Sequence, residues 1–240
     1  MATALARGWG DPVVVSDPVA ARAESLAEET GGSAVPSNSD VAESSDVVIL
    51  CHKPAQLVEV AEQIRASGTP VVSILGSVPV AEVRDAYRET PAFRVLPNLP
   101  VETGRGVLCW PSQNGDAEPA GRIRDLFARV GKVIELDESS IEAAMAVSSN
   151  APAFLALVVE SLVDAGVRHG LTQELARDLA VETLAGTAQL LDAREGDTLA
   201  LRRQVTSPGG STARGLAALE RAGLRAAFDS AVEAVVGGGK

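Results

Sequence analysis

Hydrophobic residues follow different patterns in the two halves of the chain. Up to about residue 138, short runs rich in β-branched residues alternate with stretches of helical periodicity. Most of these runs lack polar alternation, which is typical of strands covered on both faces. They predict strands at residues 13–15, 47–50, 71–75, 93–96, 107–110 and 132–136, with helices at residues 18–29, 54–66, 80–88 and 118–130. This order predicts a mostly parallel sheet of the nucleotide-binding type.

Beyond residue 138 the pattern predicts helices and no strand. Residues 152–169 predict a helix that begins with Pro152 and whose first turns are apolar on nearly every side. In a domain of about 100 residues, such a helix favours packing against a partner subunit. We therefore predict an α/β nucleotide-binding (Rossmann-like) domain in residues 1–138 and an all-α dimerisation domain in residues 139–240.

The composition excludes several classes of protein. The chain carries 32 acidic and 21 basic residues, and neither half is basic, so we expect no nucleic-acid partner. No run approaches the roughly 18 apolar residues of a membrane span, and no signal peptide is visible, so we expect a cytoplasmic protein without a membrane partner. Cys51 and Cys109 belong to no cluster of ligands, so we expect no metal site. Asp137 and Glu138 are interpreted as a solvated helix end.

One segment of the helical half combines two glycines with four hydroxyl residues. It reads Thr206-Ser207-Pro208-Gly209-Gly210-Ser211-Thr212 and precedes a helical stretch. Two adjacent glycines let the backbone turn tightly, and the unpaired N–H groups at the start of a helix can point at a ligand. The structural alternative is a turn in which one Thr or Ser caps the helix. Four hydroxyls exceed what one cap requires, so we expect this segment to bind an anion such as a carboxylate.

This segment resembles the signature of the pyrroline-5-carboxylate reductases, the enzymes of the last step of proline synthesis, in which a Thr-Ser-Pro-Gly-Gly-x-Thr loop holds the substrate. Lys53-Pro54 resembles the family's Val-Lys-Pro turn after a strand. Residues 94–100, Arg-Val-Leu-Pro-Asn-Leu-Pro, resemble its Arg-x-Met-Pro-Asn-Thr-Pro stretch. Residues 164–171 are similar to the end of its long interface helix. The resemblance covers essentially the whole chain.

The resemblance implies a reaction and an assembly. Hydride would pass from the nicotinamide of NADH or NADPH to the imine carbon of 1-pyrroline-5-carboxylate, a cyclic imino acid, giving L-proline. Because a protonated imine is already electrophilic, the site would supply mainly alignment and anion binding. The family further implies a homodimer or a ring of dimers, in which each active site combines a cofactor domain with helices of the dimer.

The resemblance also implies roles for individual residues. The N–H groups and hydroxyls assigned to the substrate carboxylate are those of Ser207, Gly209, Gly210 and Ser211. Thr212, which matches the last Thr of the family's loop, would hydrogen-bond near the ring nitrogen as the one catalytic residue. The residues expected to border the nicotinamide end of the cofactor are Lys53, Pro54 and Asn98.

Cofactor choice is expected to depend on Ser16 and Asp17, which follow the strand at residues 13–15. A carboxylate there bonds the ribose 2′-hydroxyl and repels a 2′-phosphate, so Asp17 favours NAD, while Arg22 in the next helix keeps NADP open. The structural alternative is that Asp17 only caps that helix. His52, at the carboxyl end of another strand, is expected to contact the cofactor.

Three features depart from the family's pattern. The family begins with a strand and a Gly-x-Gly-Asn-Met turn, and Met1 stands where that Met stands, so we expect a start codon assigned too far downstream or a truncated chain. His52 stands where Val is usual. Residues 149–154, Ser-Asn-Ala-Pro-Ala-Phe, replace Gly-Ser-Gly-Pro-Ala-Tyr. Two alternatives therefore stay open: a related imine or hydroxy-acid reductase of the same build, and a non-catalytic dimeric relative that lacks the cofactor glycine loop.

Overall fold

Every strand that the structure describes lies in the first of two units. The computed structural model describes residues 1–88, 90–115 and 118–237, and the chain divides into Met1–Pro152 and Ala153–Lys240. The described part of the second unit contains helices joined by turns. The predicted change from α/β to all-α is confirmed. The predicted domain boundary at residue 138 stays a prediction, and residues 238–240 of the predicted helical domain lie outside the described part.

The strands form three small sheets. Their bounds are β1 (Val14–Val15), β2 (Ser33–Ala34), β3 (Val48–Leu50), β4 (Val71–Ser73), β5 (Ala92–Arg94), β6 (Leu96–Pro97), β7 (Gly106–Pro111) and β8 (Gly131–Leu136). β1 pairs with β2, and β4 lies between β3 and β5, all in parallel. β7 lies between the antiparallel β6 and the parallel β8. Within the described residues β1 pairs only with β2, and β3 only with β4.

Helices make up most of the remaining structure. Those of the first unit are α1 (Ala2–Trp9), α2 (Ala20–Thr30), α3 (Asn38–Glu43), α4 (Leu57–Ile64), α5 (Val80–Tyr87), α6 (Ala120–Ala128) and α7 (Ile141–Ser148). Those that follow are α8 (Ala151–Arg168), α9 (Gln173–Asp192), α10 (Thr198–Gln204), α11 (Ser211–Arg221) and α12 (Leu224–Gly237). Helices were predicted in the places of α2, α4, α5, α6 and α8, and their bounds agree to within about two residues, apart from short 3-10 turns at both ends of α4.

Strands β3, β4, β5 and β7 are mostly buried on both faces, as their lack of polar alternation predicts. Val71 of β4 belongs to a cluster with Leu57 of α4 and Tyr87 of α5. The next residue, Val72, belongs to a second cluster with Leu5 of α1 and Phe127 of α6. Because successive residues of a strand point to opposite faces, α4 and α5 cover one face of the strands while α1 and α6 cover the other.

Two details of the sheet differ from the sequence prediction. Residues 93–96 were predicted as one strand, but the backbone changes partner at Val95, so that β5 pairs with the parallel β4 and β6 with the antiparallel β7. Neither β2 nor α3 was predicted, because both are short and carry few apolar residues. The hydrophobic pattern thus identifies the buried strands and overlooks the exposed ones.

Helix α1 packs tightly against the rest of the first unit. A Cβ atom placed on Gly8 would lie 2.1 Å from the carbonyl oxygen of Val101. The indole Nε1 of Trp9 donates to the carbonyl oxygen of Leu126 at 2.9 Å. The guanidinium of Arg129 donates to the carbonyl oxygen of Trp9 at 3.0 Å. Since backbone atoms leave no room for a side chain at Gly8, α1 cannot accept even a methyl group there without moving.

We expect Gly8→Ala to lower the free energy of unfolding by about 1 to 3 kcal/mol, because an overpacked backbone contact forces a shift of α1. Gly121→Ala is the matched control: it also lies in a helix, and its added Cβ would meet no atom within 4 Å. We expect that control to be neutral or stabilising by up to about 1 kcal/mol. Urea unfolding followed by circular dichroism measures both, and equal stabilities of the two variants would contradict the tight packing of α1.

The helices of the second unit leave most of their apolar side chains exposed. Among residues 153–237 only Ala176 and Ala180 are buried, and Leu157 of α8 is 61% exposed. The stretch Glu138–Arg168 is long and apolar enough to cross a membrane by length and composition alone. Exposed apolar surface of this extent on a globular unit indicates a binding surface for another protein or for a membrane.

Candidate active site

The predicted site residues fall into two groups, one in each unit. In the first unit, Ser16 and Asp17 follow β1. The Ser16 hydroxyl donates to Oδ1 of Asn38 at 2.5 Å, and Oδ1 of Asp17 accepts from the backbone N–H of Val19 at 2.8 Å. Since α2 begins at Ala20 with Val19 as its N-cap, Asp17 stabilises the turn before the helix and does not cap the helix itself. Its other carboxylate oxygen accepts no hydrogen bond from the described residues.

His52, Lys53 and Pro54 follow β3 at its carboxyl end. The imidazole Nδ1 of His52 donates to the carbonyl oxygen of Lys53 at 2.9 Å. Nε2 of the same ring is buried without a partner among the described residues. The backbone N–H of Lys53 donates to Oε1 of Gln56 at 3.2 Å, and Pro54 opens the short turn into α4. The strand end therefore presents an unused polar atom.

Asn98 follows β6 and has both ends of its side chain engaged. Its Oδ1 accepts from the backbone N–H of Val107 at 2.8 Å, and its Nδ2 donates to the carbonyl oxygen of Ser148 at 3.0 Å. The thiol of Cys109 lies 3.9 Å from the Ser148 hydroxyl, and burial raises the pKa of that thiol more than this contact lowers it. Asn98 thus links β7 to α7, a structural connection that the sequence did not indicate.

Sequence reasoning missed a buried ion pair in the first unit and assigned one of its members wrongly. Glu138 was interpreted as solvated, but its Oε1 lies 2.7 Å from Nη1 of Arg94, whose side chain is 4% exposed. Arg94 interrupts an otherwise apolar strand, which is the signal that could have indicated a buried partner. The pair lies among segments that join the carboxyl ends of the parallel strands.

In the second unit, residues 207–210 form a tight turn. The N–H of Gly210 donates to the carbonyl oxygen of Ser207 at 3.0 Å, and Gly209 has a φ of +69°. Pro208 followed by a glycine at positive φ is the arrangement of a type II turn. A Cβ atom on Gly210 would lie 2.3 Å from the Ser207 hydroxyl oxygen. The N–H of Gly210 is used within the turn, so it is not the donor to the substrate carboxylate that was predicted. The absence of a side chain at Gly210 instead leaves room for the Ser207 hydroxyl.

The turn leads directly into the N-terminus of α11. Gly210 is the N-cap, and no side chain of the described residues caps the helix. The hydroxyl of Thr206 donates instead to the carbonyl oxygen of Arg202 at 2.5 Å. The alternative of a hydroxyl-capped turn is therefore wrong. Among the described residues the first N–H groups of α11 have no partner, so they can bind an anion together with the hydroxyls of Ser211 and Thr212.

Comparison with protein families matches both parts of the chain. Residues 138–239 match the family model of pyrroline-5-carboxylate reductase dimerisation. Residues 1–77 match the model of NADP oxidoreductases that depend on coenzyme F420. The second match covers β1, β3, β4 and the helices between them, so both units have relatives among oxidoreductases.

Individual relatives cover most of the chain. A pyrroline-5-carboxylate reductase of Synechocystis is 33% identical over 228 residues, which are 93% of this chain and 85% of that protein. The enzyme of Corynebacterium melassecola is 35% identical over 89% of this chain and 82% of its own length. The crystal structure of the Plasmodium falciparum pyrroline carboxylate reductase with NADP bound superposes with a TM-score of 0.83 at 27% identity, covering 98% of this chain and 91% of that one. With its two-part fold and its hydroxyl-rich turn, the chain belongs to the pyrroline-5-carboxylate reductase family.

Proposed function

We propose that this protein reduces 1-pyrroline-5-carboxylate to L-proline with NADH or NADPH. The observation that carries the proposal is the turn at residues 207–210, which leaves the N-terminus of α11 uncapped beside two hydroxyls in the part of the chain that the structure describes. Such a terminus attracts a carboxylate, because the helix dipole and the free N–H groups both favour negative charge. Family membership supplies the remaining chemistry, that of an imine reductase.

The residues of the first unit fit a nicotinamide dinucleotide. Nε2 of His52 is a buried polar atom with no partner in the described part of the chain, at the strand end where such sheets bind nucleotides. The residues that would hold the cofactor are Ser16, Asp17, His52, Lys53, Pro54 and Asn98. When bound, it supplies the hydride that reduces the imine.

The residues of the second unit bind and orient the substrate. Ser207, Gly209 and Gly210 shape the turn, and Ser211 places its N–H and hydroxyl at the carboxylate. Arg214 donates from Nη1 to the carbonyl oxygen of Gly209 at 2.8 Å, which holds the turn in place. Thr212 hydrogen-bonds near the ring nitrogen, where charge changes as the imine becomes an amine. A rigid turn fixes the orientation of the bound imine.

A homodimer, or a ring of such dimers, is the assembly that we propose. The apolar faces of α8 and α9, including Leu157 and Leu179, then pack against a partner copy rather than a membrane. The family model that matches this region describes a dimerisation domain. A cytoplasmic location accords with this assembly.

The assay that tests the function mixes the chain with 1-pyrroline-5-carboxylate and either cofactor, follows absorbance at 340 nm, and identifies L-proline as product. Turnover of other cyclic imines or hydroxy acids, without turnover of 1-pyrroline-5-carboxylate, would favour the related reductase. Calorimetry of the chain with NADH or NADPH, without substrate, tests the remaining alternative. A chain that shows neither turnover in the assay nor cofactor binding by calorimetry would support the non-catalytic relative.

We expect Asp17→Asn to raise the ratio of kcat/KM with NADPH to kcat/KM with NADH about tenfold, since the negative charge that opposes a 2′-phosphate is lost. The amide oxygen can still accept from the N–H of Val19, so the turn is kept. Glu24→Gln, which removes an exposed charge from α2, controls for net charge. An unchanged ratio in Asp17→Asn would mean that Asp17 serves only the turn.

A further inference from the structure

Arg94 is a buried charged residue at the end of β5, with 3% of its surface exposed. Its Nη1 lies 2.7 Å from Oε1 of Glu138, and its Nη2 donates to the carbonyl oxygen of Gly76. Its own backbone N–H and carbonyl are held by the side-chain amide of Asn114, at 2.9 and 2.8 Å. The guanidinium is therefore fixed from both sides and connects two separate segments.

Glu138 is held as firmly as Arg94. The same Oε1 accepts from the backbone N–H of Val80 at 2.8 Å, at the first residue of α5. The backbone N–H of Glu138 donates to Oε1 of Gln113 at 3.0 Å. Oε1 of Glu138 thus serves both Arg94 and Val80, and the contact of Arg94 with Gly76 is additional to the ion pair. Nε of Arg94 has no partner among the described residues.

Gly76 lies in the loop between β4 and α5, at the carboxyl end of β4. The chain has no cis peptide among the described residues, so the carbonyl of Gly76 and the N–H of Ser77 point in opposite directions. Since the carbonyl is bound to the buried Arg94, the N–H of exposed Ser77 points away from it. This N–H donates to no acceptor in the described part of the chain. A Cβ on Gly76 would lie 3.2 Å from Cε of Met145, so a side chain there would press on α7.

We propose that Arg94 is a positioning residue for the cofactor site: by holding the carbonyl of Gly76, it fixes the N–H of Ser77 as a hydrogen-bond donor toward the nicotinamide end of the cofactor. This rests on the proposed function. β3 and β4 are parallel neighbours, so their carboxyl ends lie at the same edge, and the loop with Ser77 follows β4 as Lys53 follows β3. Arg94 itself is buried and touches neither ligand.

The first test substitutes Lys for Arg94. An ammonium group keeps a positive charge for Glu138, but it lacks the fork that reaches Glu138 and Gly76 in two directions. We expect the Kd for NADPH or NADH, measured by calorimetry without substrate, to rise about tenfold. At saturating cofactor, kcat should change less than about threefold, because Arg94 does not contact the reacting atoms.

Glu138→Gln is the matched control. Its amide oxygen can still accept from Arg94 and Val80, so Gly76 is unaffected, while the loss of the buried charge lowers thermal stability. We expect its Kd to stay within about twofold of the wild-type value. Equal losses of stability and of cofactor affinity in both variants would overturn the proposal, since Arg94 would then serve folding alone.

Gly76→Ala changes the peptide group between Gly76 and Ser77 and leaves the Arg94–Glu138 ion pair intact. It is the deciding experiment if Arg94→Lys does not fold. The added methyl lies 3.2 Å from Cε of Met145, and a shift of a few tenths of an ångström relieves the contact. If the peptide of Gly76 takes up part of that shift, as the proposal requires, the Kd should rise about twofold to fivefold. If Arg94→Lys folds and binds the cofactor with wild-type affinity, this inference is overturned and the proposed function is not. If Arg94→Lys does not fold, wild-type cofactor affinity in Gly76→Ala has the same meaning. A wild-type chain that binds neither cofactor overturns the proposed function, and this inference with it.

Discussion

Gly210→Ala is expected to raise the KM for 1-pyrroline-5-carboxylate at least about a hundredfold while leaving cofactor affinity unchanged. The new methyl would lie 2.3 Å from the hydroxyl oxygen and 3.1 Å from the carbonyl oxygen of Ser207. The backbone at Gly210 has a φ of −68°, so the conflict is steric and not conformational. Relieving it moves the Ser207 hydroxyl, which is assigned to the substrate carboxylate, and shifts the turn by a few tenths of an ångström. Small displacements are costly in a site that works by alignment.

Gly215→Ala in the same helix is the control for this variant. An added Cβ at Gly215 meets no atom of the described residues within 4 Å, and helix propensity favours the change. Steady-state kinetics measure the KM of both variants, and calorimetry with NADPH measures cofactor binding. If Gly210→Ala lost cofactor affinity as well, the cause would be misfolding. If its KM were that of the wild type, the turn would not be the carboxylate site.

Thr212→Ala is expected to lower kcat/KM for the cyclic imine about a hundredfold, the usual loss when one donor to a developing charge is removed. Thr212 is the second residue of α11 and is half-buried at the turn. Its hydroxyl has no hydrogen-bond partner in the described structure, so the substitution removes no internal contact. Thr212→Ser retains the hydroxyl and is expected to keep kcat/KM within about tenfold of the wild type.

Thr206→Ala provides the contrast within the same loop. The Thr206 hydroxyl bonds the carbonyl of Arg202 at the end of α10, so its loss should reduce stability by about 1 kcal/mol without changing kcat. An unchanged kcat/KM in Thr212→Ala would remove Thr212 from the mechanism. If kcat/KM fell equally in Thr206→Ala, the loss in Thr212→Ala would come from a less rigid loop and not from the missing Thr212 hydroxyl.

The hydrophobic pattern predicts the buried elements because burial on both faces leaves a clear trace in the sequence. Residues 47–50, 71–75 and 107–110 became β3, β4 and β7, each within two residues of its predicted bounds. The same reasoning could not find the break at Val95, because a strand that changes partners stays apolar throughout. It could not find β2 either, whose two residues are exposed.

The turn of the candidate site was predictable because it depends on local backbone conformation. A proline followed by two glycines implies a tight turn, and the structure has one at residues 207–210. The sequence does not show which distant segments contact each other, although Arg94 in an apolar run indicates that it has some buried partner. The hydrogen bonds of Asn98 to Val107 and Ser148, and the pairing of Arg94 with Glu138 across 44 positions, depend on the tertiary fold.

The scarcity of buried residues in the second unit has a consequence for how this protein must be handled. Only two alanines are shielded from water in residues 153–237, so a single copy of this unit has almost no interior to stabilise it. Its folding is then coupled to association, and its melting temperature should fall on dilution. Stabilities of variants are comparable only at one protein concentration.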